Sequence, residues 1–355
     1  MVCRMTSPVR SFFDFELEEL KKHFSSHGKE KFRAQQLFQW VYQKSVLDPQ
    51  LMTNLSKDFR AQLLSEVDLM RLPIVEQLDS VDGTKKFLFD IGDSKTVESV
   101  LIPSKDRLTL CVSSEVGCNM ACRFCFTGKQ KLSRRLTAGE IVGQFFEVSN
   151  LIQPRRITNV VFMGMGEPLD NPDAVFRAIK ILNSPWGFNL SRKRVTVSTS
   201  GLVPMIPLVA EAGARLAVSL NATTNEIRDY VMPINKKYPM NQLLESCRQY
   251  VRETGDRVTF EYVLLKGVTD SLEDARRLQK ISRQVPCKIN IIPFNEHPGS
   301  GFERPSDETV DQFHNELMRL GVHVLLRRTK GRDIFAACGQ LRSRYEGHPE
   351  RMSVS

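Results

Sequence analysis

The chain changes its hydrophobic rhythm twice. Between residues 12 and 70 apolar side chains recur at helical spacing, as at Phe32, Leu37, Trp40 and Val41 in KFRAQQLFQWVYQK, which predicts several amphipathic helices. The aromatic stripe is expected to be the core of a small helical domain rather than a base-stacking surface. Short segments rich in β-formers come next, KKFLFDI, TVESVLI and RLTLCVSS, with Asp-Gly and Gly-Asp turn signals around them. From Leu108 onward the period changes again. LTLCVSS, TNVVFMG, KRVTVSTS, RLAVSLN, VTFEYVLL and KINIIPFN are six near-continuous apolar runs, the type buried on both faces of a parallel sheet. Helical stretches separate them at 138–152, opened by a capping box of Thr137 and Glu140, and at 172–183, 241–253, 272–284 and 307–320. This alternation predicts an α/β fold. Six βα units are too few to close an eight-stranded barrel, so an open, partial (β/α)6 barrel is expected, with ligands at the carboxyl ends of its strands. The expected organisation is a helical accessory domain over 1–80, a strand-rich connector over 81–107, the partial barrel over 108–341 and a C-terminal tail over 342–355.

Length and composition narrow the class. With 355 residues, 41% of them hydrophobic, the chain can bury one large core and a smaller accessory one. Its eight cysteines are unevenly spread and too few for a disulfide scaffold of this size, which fits a reducing compartment. No apolar run approaches the ~20 residues of a membrane span, so a cytoplasmic protein with no membrane partner is expected. The net charge is +9, and residues 1–100 carry 14 Lys and Arg against 15 Asp and Glu, so the basic surplus lies beyond them. It concentrates at Lys129, Lys131, Arg134 and Arg135, at Arg155-Arg156, Arg192-Lys193-Arg194 and Lys236-Lys237, and at Arg327-Arg328 with Lys330 and Arg332. Such clusters suit the phosphates of a nucleic acid, or are solvated loops.

The stretch GCNMACRFCFTG carries the most specific chemistry. Cys118, Cys122 and Cys125 place three thiols on one short loop, close enough for a single metal centre. A structural zinc site wants four ligands, usually as two CxxC-like pairs, and no partner pair occurs further along the chain. A 4Fe-4S cluster with three irons held by protein and one open to a small molecule fits better than zinc or an oxidisable thiol group. The CxxxCxxC spacing, with Phe124 before the last cysteine, resembles the signature of the radical S-adenosylmethionine (SAM) superfamily, which implies a radical SAM partial barrel with SAM on the open iron.

The strand ends supply further candidates. In MGMGEP, Gly164 and Gly166 permit close backbone approach and Glu167 can receive an ammonium group. Its place one βα unit after the cysteine loop resembles the motif that holds the SAM amino group. Ser198, then Ser219, Leu220 and Asn221, then Asn295 offer hydroxyl, amide and backbone partners for ribose, carboxylate and adenine, although each is also an ordinary strand cap. Cys111 lies on the first barrel strand and Cys338 in GRDIFAACGQL near the C-terminus. Both could be buried small hydrophobes, but Cys338 is followed by Gly339 in a segment behind Gly331 that can move. Cys3, Cys247 and Cys287 match no motif, and the six histidines form no ligand spacing.

Taken together, CVSSEVGCNMACRFCFTG, MGMGEPL, VTVSTSG, PINKKYP and DIFAACGQL closely resemble the bacterial dual-specificity adenine-C2 RNA methyltransferases, from about Lys31 to Leu341. The pattern departs from that family at Asn221, where a histidine is common, and at Phe126-Thr127-Gly128. Adenine C2 is electron-poor and cannot attack the SAM methyl as an oxygen or nitrogen would, a problem that a radical route avoids. The resemblance implies that one SAM methylates Cys338 and that a second is reductively cleaved at the cluster. The 5'-deoxyadenosyl radical then takes hydrogen from the S-methyl group, and the carbon radical adds to C2. Glu98 matches the family's proton acceptor, and Cys111 attacks the sulfur of Cys338 to release methylated RNA through a transient disulfide. Expected partners are 23S rRNA, the tRNA adenine next to the anticodon, and a reducing, flavodoxin-like electron donor, with a monomer as the acting form. The nearest rival is the sister family that methylates C8 of the same ribosomal adenine. A rival of another class is an iron-sulfur RNA binder or electron carrier without SAM chemistry.

Overall fold

Local capping starts the N-terminal helices. Glu16 and Glu19 form a capping box at α1 (Leu17–Ser26), and the Ser56 hydroxyl accepts from Phe59 N at α3 (Lys57–Glu66). Between them α2 (Phe32–Phe38) runs into a π-helical turn over Gln39–Gln43. The structure is a computed structural model, and it describes residues 9–342. Cys3 and most of the expected C-terminal tail lie outside the described residues. In the predicted stripe Leu37 and Val41 are fully buried, whereas Phe32 is half exposed and Trp40 sits at the edge with the Lys44 ammonium over its ring.

The helical unit is fused to the barrel by a common core. Phe13 packs on Phe146 with ring centroids 5.1 Å apart, Tyr42 packs on Phe188 at 4.8 Å, and Asp14 Oδ1 accepts from Gly139 N. An added Cβ at Gly139 would stand 3.1 Å from the Asp14 carboxylate, so this contact depends on the bare backbone.

The strand-rich part begins earlier than expected. β1 (Ile74–Asp79) lies within the span expected to be helical, because its alternating half-buried and exposed residues gave no apolar run. It pairs antiparallel with β2 (Lys85–Asp90), which pairs with β3 (Thr96–Ser104), which pairs with β4 (Arg107–Cys111). The connector therefore extends the barrel sheet. A small ribbon of β5 (Glu115–Val116) and β6 (Arg134–Arg135) closes the neck of the cysteine loop.

Parallel strands complete the sheet. After α4 (Ala138–Leu151) come β7 (Asn159–Phe162), α5 (Pro172–Asn183), β8 (Val195–Thr199), α6 (Ile206–Glu211) and β9 (Arg215–Ser219). Next are α7 (Asn225–Val231), α8 (Met240–Thr254), β10 (Val258–Leu264), α9 (Leu272–Gln284), β11 (Cys287–Pro293), α10 (Asp307–Arg319) and β12 (Val324–Leu326). The single ten-stranded sheet runs β1-β2-β3-β4-β7-β8-β9-β10-β11-β12, parallel from β4 onward. It is an open, partial barrel of the expected kind, with β12 as an additional seventh parallel strand. That strand escaped the pattern because it is three residues long and never fully buried. Among the described residues, no helix is long and apolar enough to cross a membrane.

Candidate active site

The cysteine loop is a tightly tied turn at the carboxyl end of β4. Gly117 opens it with φ +80°, and a Cβ there would fall 2.2 Å from Lys131 O, so only glycine lets the two limbs meet. Cys118 N donates to Gln130 O at 2.9 Å, and Cys125 N donates to Cys122 O at 3.1 Å. The far side is held by the C-terminal segment: Phe126 N donates to Gly339 O at 2.8 Å and the Thr127 hydroxyl to Leu341 O at 2.6 Å. Sequence-distant residues are thus locked around the three thiols.

These thiols face an open cleft at the carboxyl ends of the strands. Its wall includes Cys118, Cys122, Cys125, Gly166, Glu167, Ser198, Ser219, Asn221, Asn295 and Cys338. Most of the residues singled out in the sequence are therefore brought together. Glu98, Cys111 and Leu220 are not part of that wall.

Burial pushes the Cys118 and Cys122 thiols well up, and the charges of neighbouring cysteines and of Glu167 push further in the same direction. Burial also raises Cys125, against amide and hydroxyl hydrogen bonds from Gly128 and Thr127. Crowded thiols that resist joint ionisation fit a centre that brings its own positive charge, as a metal cluster does. The donor set, three sulfurs on one loop facing an open cleft, fits an iron-sulfur cluster with an exchangeable position. Glu167, 3% exposed, accepts from Ser200 N at 2.7 Å and Leu169 N at 3.2 Å, which fixes its carboxylate at the cleft. Gly166, at φ +96°, lies so close to Glu115 that a Cβ would meet its side chain at 2.5 Å. Across the cleft the buried Glu261 keeps one carboxylate oxygen without a hydrogen bond, the other accepting from Asn290 Nδ2 at 2.8 Å. An unsatisfied acceptor in this wall suits a polar ligand such as SAM.

Cys338 is open to the cleft, although protein surrounds its base. Asn295 Nδ2 donates to its carbonyl at 3.3 Å and Asn295 Oδ1 accepts from the Thr329 hydroxyl at 2.8 Å, so Asn295 holds the segment in place. Cys111 is buried on β4, directly outside the wall. Burial raises its thiol, and the charge of Cys338 raises it further while Arg327 opposes both. Burial likewise raises Cys338, with Arg327 lowering it and Glu261 raising it. Arg327 thus stands among both thiols and Glu261, and does not belong to a free phosphate-binding cluster as its sequence neighbours suggested.

Glu98 is not solvent-facing, as a strand glutamate would normally be. It is 1% exposed, with Oε1 3.1 Å from Lys86 Nζ and Oε2 accepting from Arg342 N at 3.0 Å. Lys86 also donates to Phe335 O at 3.3 Å, so the buried pair braces the segment that carries Cys338. Leu220 has no polar group left for a ligand: its side chain is fully buried, its N donates to Glu261 O and its carbonyl accepts from Arg228. The Asn221 side chain is committed as well, Oδ1 to Val263 N at 2.9 Å and Nδ2 to Met232 Sδ at 3.3 Å. Of the basic residues after the loop, Arg134 pairs with Glu140 at 2.6 Å, Arg135 with Asp170 at 2.8 Å, and Lys129 bonds Gly299 O.

Two residues that sequence reasoning passed over shape the site. Arg228, fully buried, donates to the carbonyls of Ser200, Leu220 and Ser219 at 2.6, 3.0 and 3.1 Å, and to Asn235 Oδ1 at 3.1 Å. It ties the ends of β8 and β9 together, and its charged neighbours in NEIRDYV made it look like a surface residue. Arg228→Met should lower the unfolding free energy by about 3 kcal/mol or more, because three interior carbonyls each lose a charged donor, as urea titration of both proteins would read. Glu115 accepts from Glu167 N at 2.8 Å, and burial first, then the charges of Asp170 and Glu167, raise its carboxyl to about 8. A carboxyl raised in the fold adds stability that is complete below its ordinary pKa of 4.5 and is lost as pH rises through about 8. Across that window the wild type should lose about 2 kcal/mol more than Glu115→Gln in the same titration.

Comparison with known proteins agrees with this arrangement. Residues 112–278 match the radical SAM superfamily, and residues 11–68 match the ribosomal RNA large subunit methyltransferase N-terminal domain. The dual-specificity RNA methyltransferase RlmN of Bdellovibrio bacteriovorus is 62% identical over 97% of this chain and 86% of its own length. That of Geotalea uraniireducens is 49% identical over 94% of this chain and 96% of its own. A crystal structure of a radical SAM methyltransferase from Sphaerobacter thermophilus superimposes with a TM-score of 0.89 at 42% identity, covering 94% of this chain and 99% of that one.

Proposed function

Because the chain belongs to the RlmN family of radical SAM dual-specificity RNA methyltransferases, we propose that it methylates C2 of an adenine in 23S rRNA and of the tRNA adenine next to the anticodon. The observation that carries this reading is the meeting of Cys338 with Cys118, Cys122 and Cys125 in one cleft. An electron carrier needs neither an open cleft nor a further thiol facing it.

Cys118, Cys122 and Cys125 would hold the 4Fe-4S cluster, and Gly166, Glu167, Ser198, Ser219 and the Asn221 backbone would line the SAM site. When bound, the cluster supplies the electron that makes SAM a source of a hydrogen-abstracting radical. The protein's own residues do the rest. Cys338 accepts a methyl group on sulfur and carries it to the RNA base, with Asn295 fixing the backbone that presents it. Arg327 beside Cys338 favours the thiolate that nucleophilic methyl transfer requires. Glu98 is the proton acceptor; its buried carboxylate is paired with Lys86 and lies against the segment bearing Cys338. Cys111, next to Cys338 but outside the cleft, is placed to form the disulfide that releases the product. Leu220 contributes packing. Lys131, Arg155, Arg156 and the Lys236-Lys237 pair are the candidates for phosphate contacts. The enzyme acts as a monomer in the cytoplasm and draws its electron from a flavodoxin-like donor.

The test is nucleoside analysis of 23S rRNA and tRNA after anaerobic incubation with reconstituted protein, reductant and SAM. 2-Methyladenosine in both RNAs is expected. 8-Methyladenosine would assign the chain to the sister chemistry, and no methylated adenosine would remove the methyltransferase reading.

A further inference from the structure

The cysteine loop is reached from two directions. Besides the cleft, a second recess opens on it, lined by Arg123, Lys129, Tyr230, Ser300 and Phe302, and it shares Cys122 and Gly128 with the cleft. Cys122 and Gly128 thus stand between recess and cleft. A Cβ added at Gly128 would lie 2.8 Å from Cys122 O, so the two residues pack backbone to backbone here. Cys338 does not line the recess, so an RNA base seated there could not reach the methyl carrier.

The recess has a definite chemical character. Among the described residues its only charged groups are the cations Arg123 and Lys129, both exposed. The Arg123 guanidinium lies 4.6 Å from the Tyr230 ring centroid, and Tyr230 meets Phe302 edge-on at 5.9 Å while remaining 44% exposed. Cations around an exposed aromatic shelf match an acidic protein with an apolar centre to its contact face.

We propose that this recess docks the electron donor, an acidic, flavin-bearing carrier protein. The inference rests on the radical SAM reading, which requires a one-electron reduction to start SAM cleavage. The donor is oxidised by one electron, and that electron crosses the loop beside Cys122 and is consumed in breaking the carbon–sulfur bond of SAM. No proton or leaving group passes through the recess. Delivery here leaves the cleft free for SAM and RNA.

The probe is oxidised, FMN-containing flavodoxin, titrated calorimetrically into the cluster-loaded enzyme at low ionic strength. Arg123→Glu should weaken its binding at least about tenfold, raised salt should weaken wild-type binding similarly, and Arg123→Lys should stay within a few-fold of wild type. Carbodiimide coupling, which joins carboxylates to amines, should give a cross-link at Lys129. In Arg123→Glu, RNA affinity and dithionite-driven SAM cleavage should be unchanged. Equal flavodoxin affinity of wild type and Arg123→Glu would overturn the proposal, and so would a matching loss of RNA affinity, which would make the recess an RNA contact. Absence of SAM cleavage by wild type with dithionite would instead remove the radical SAM reading itself, a result the binding titration cannot produce.

Discussion

Cys122→Ala is expected to lose its cluster and, with it, all SAM cleavage. Cys122 is the middle cysteine of the loop, its carbonyl receives Cys125 N, and its thiol is buried beside the other two and Glu167. With one sulfur gone, the remaining pair cannot hold three irons of a cuboidal cluster. Iron content should fall from about four per chain to background, and the visible absorption of the reconstituted protein should disappear with it. The fold should survive, because the loop is tied by backbone hydrogen bonds at Cys118 and Phe126 and by the Thr127 hydroxyl, none of which needs a metal. A variant retaining full iron with normal absorption would place the cluster elsewhere.

Replacing the two other site cysteines should separate their roles. Cys338→Ala removes the proposed methyl carrier, so methylated RNA should fall by at least about 10⁴-fold, the scale on which loss of an enzyme nucleophile acts. SAM cleavage should persist in that variant, since the three loop thiols are untouched. Cys111→Ala leaves the carrier intact but removes its neighbour, so the reaction should stop after RNA has joined Cys338. A covalent protein–RNA species, visible as a shifted band in a denaturing gel and as a mass increment on the Cys338 peptide, is the expected outcome. Release of free product by Cys111→Ala at the wild-type rate would remove Cys111 from the reaction.

Some of this site was legible in the sequence because its chemistry is local or is placed by topology. Cys118, Cys122 and Cys125 fall within one turn, and no tertiary information is needed to bring them together. Glu167, Ser198, Ser219 and Asn295 lie at or just beyond the carboxyl ends of parallel strands, and a parallel sheet gathers those ends along one edge. Cys338 was legible through the family pattern alone, since nothing local reveals that Gly339 and Leu341 bond the cysteine loop.

The remainder depended on contacts between distant segments. Arg228 sits between Glu226 and Asp229 and looks solvated, yet the ends of two strands converge on its guanidinium. Glu98 alternates like a surface strand residue and is covered only because the chain returns over β3 more than 200 positions later. Leu220 stands next to true wall residues, but just past the end of β9 its side chain is fully buried in the core. Arg327 belongs to a charge run in sequence and to the thiol site in space. Lys86, which has no motif, becomes visible only through its partner Glu98.

The central claim is that the methyl group reaches RNA by way of Cys338, and isotope retention tests it most directly. Protein purified without bound SAM would be incubated with SAM bearing a trideuterated methyl group, and the methylated adenosine examined by mass spectrometry. Hydrogen abstraction from an S-methyl group on Cys338 predicts a product methyl with two deuteriums and one hydrogen, the third deuterium appearing in 5'-deoxyadenosine. A product methyl retaining all three deuteriums would mean direct transfer from SAM and would contradict the role assigned to Cys338.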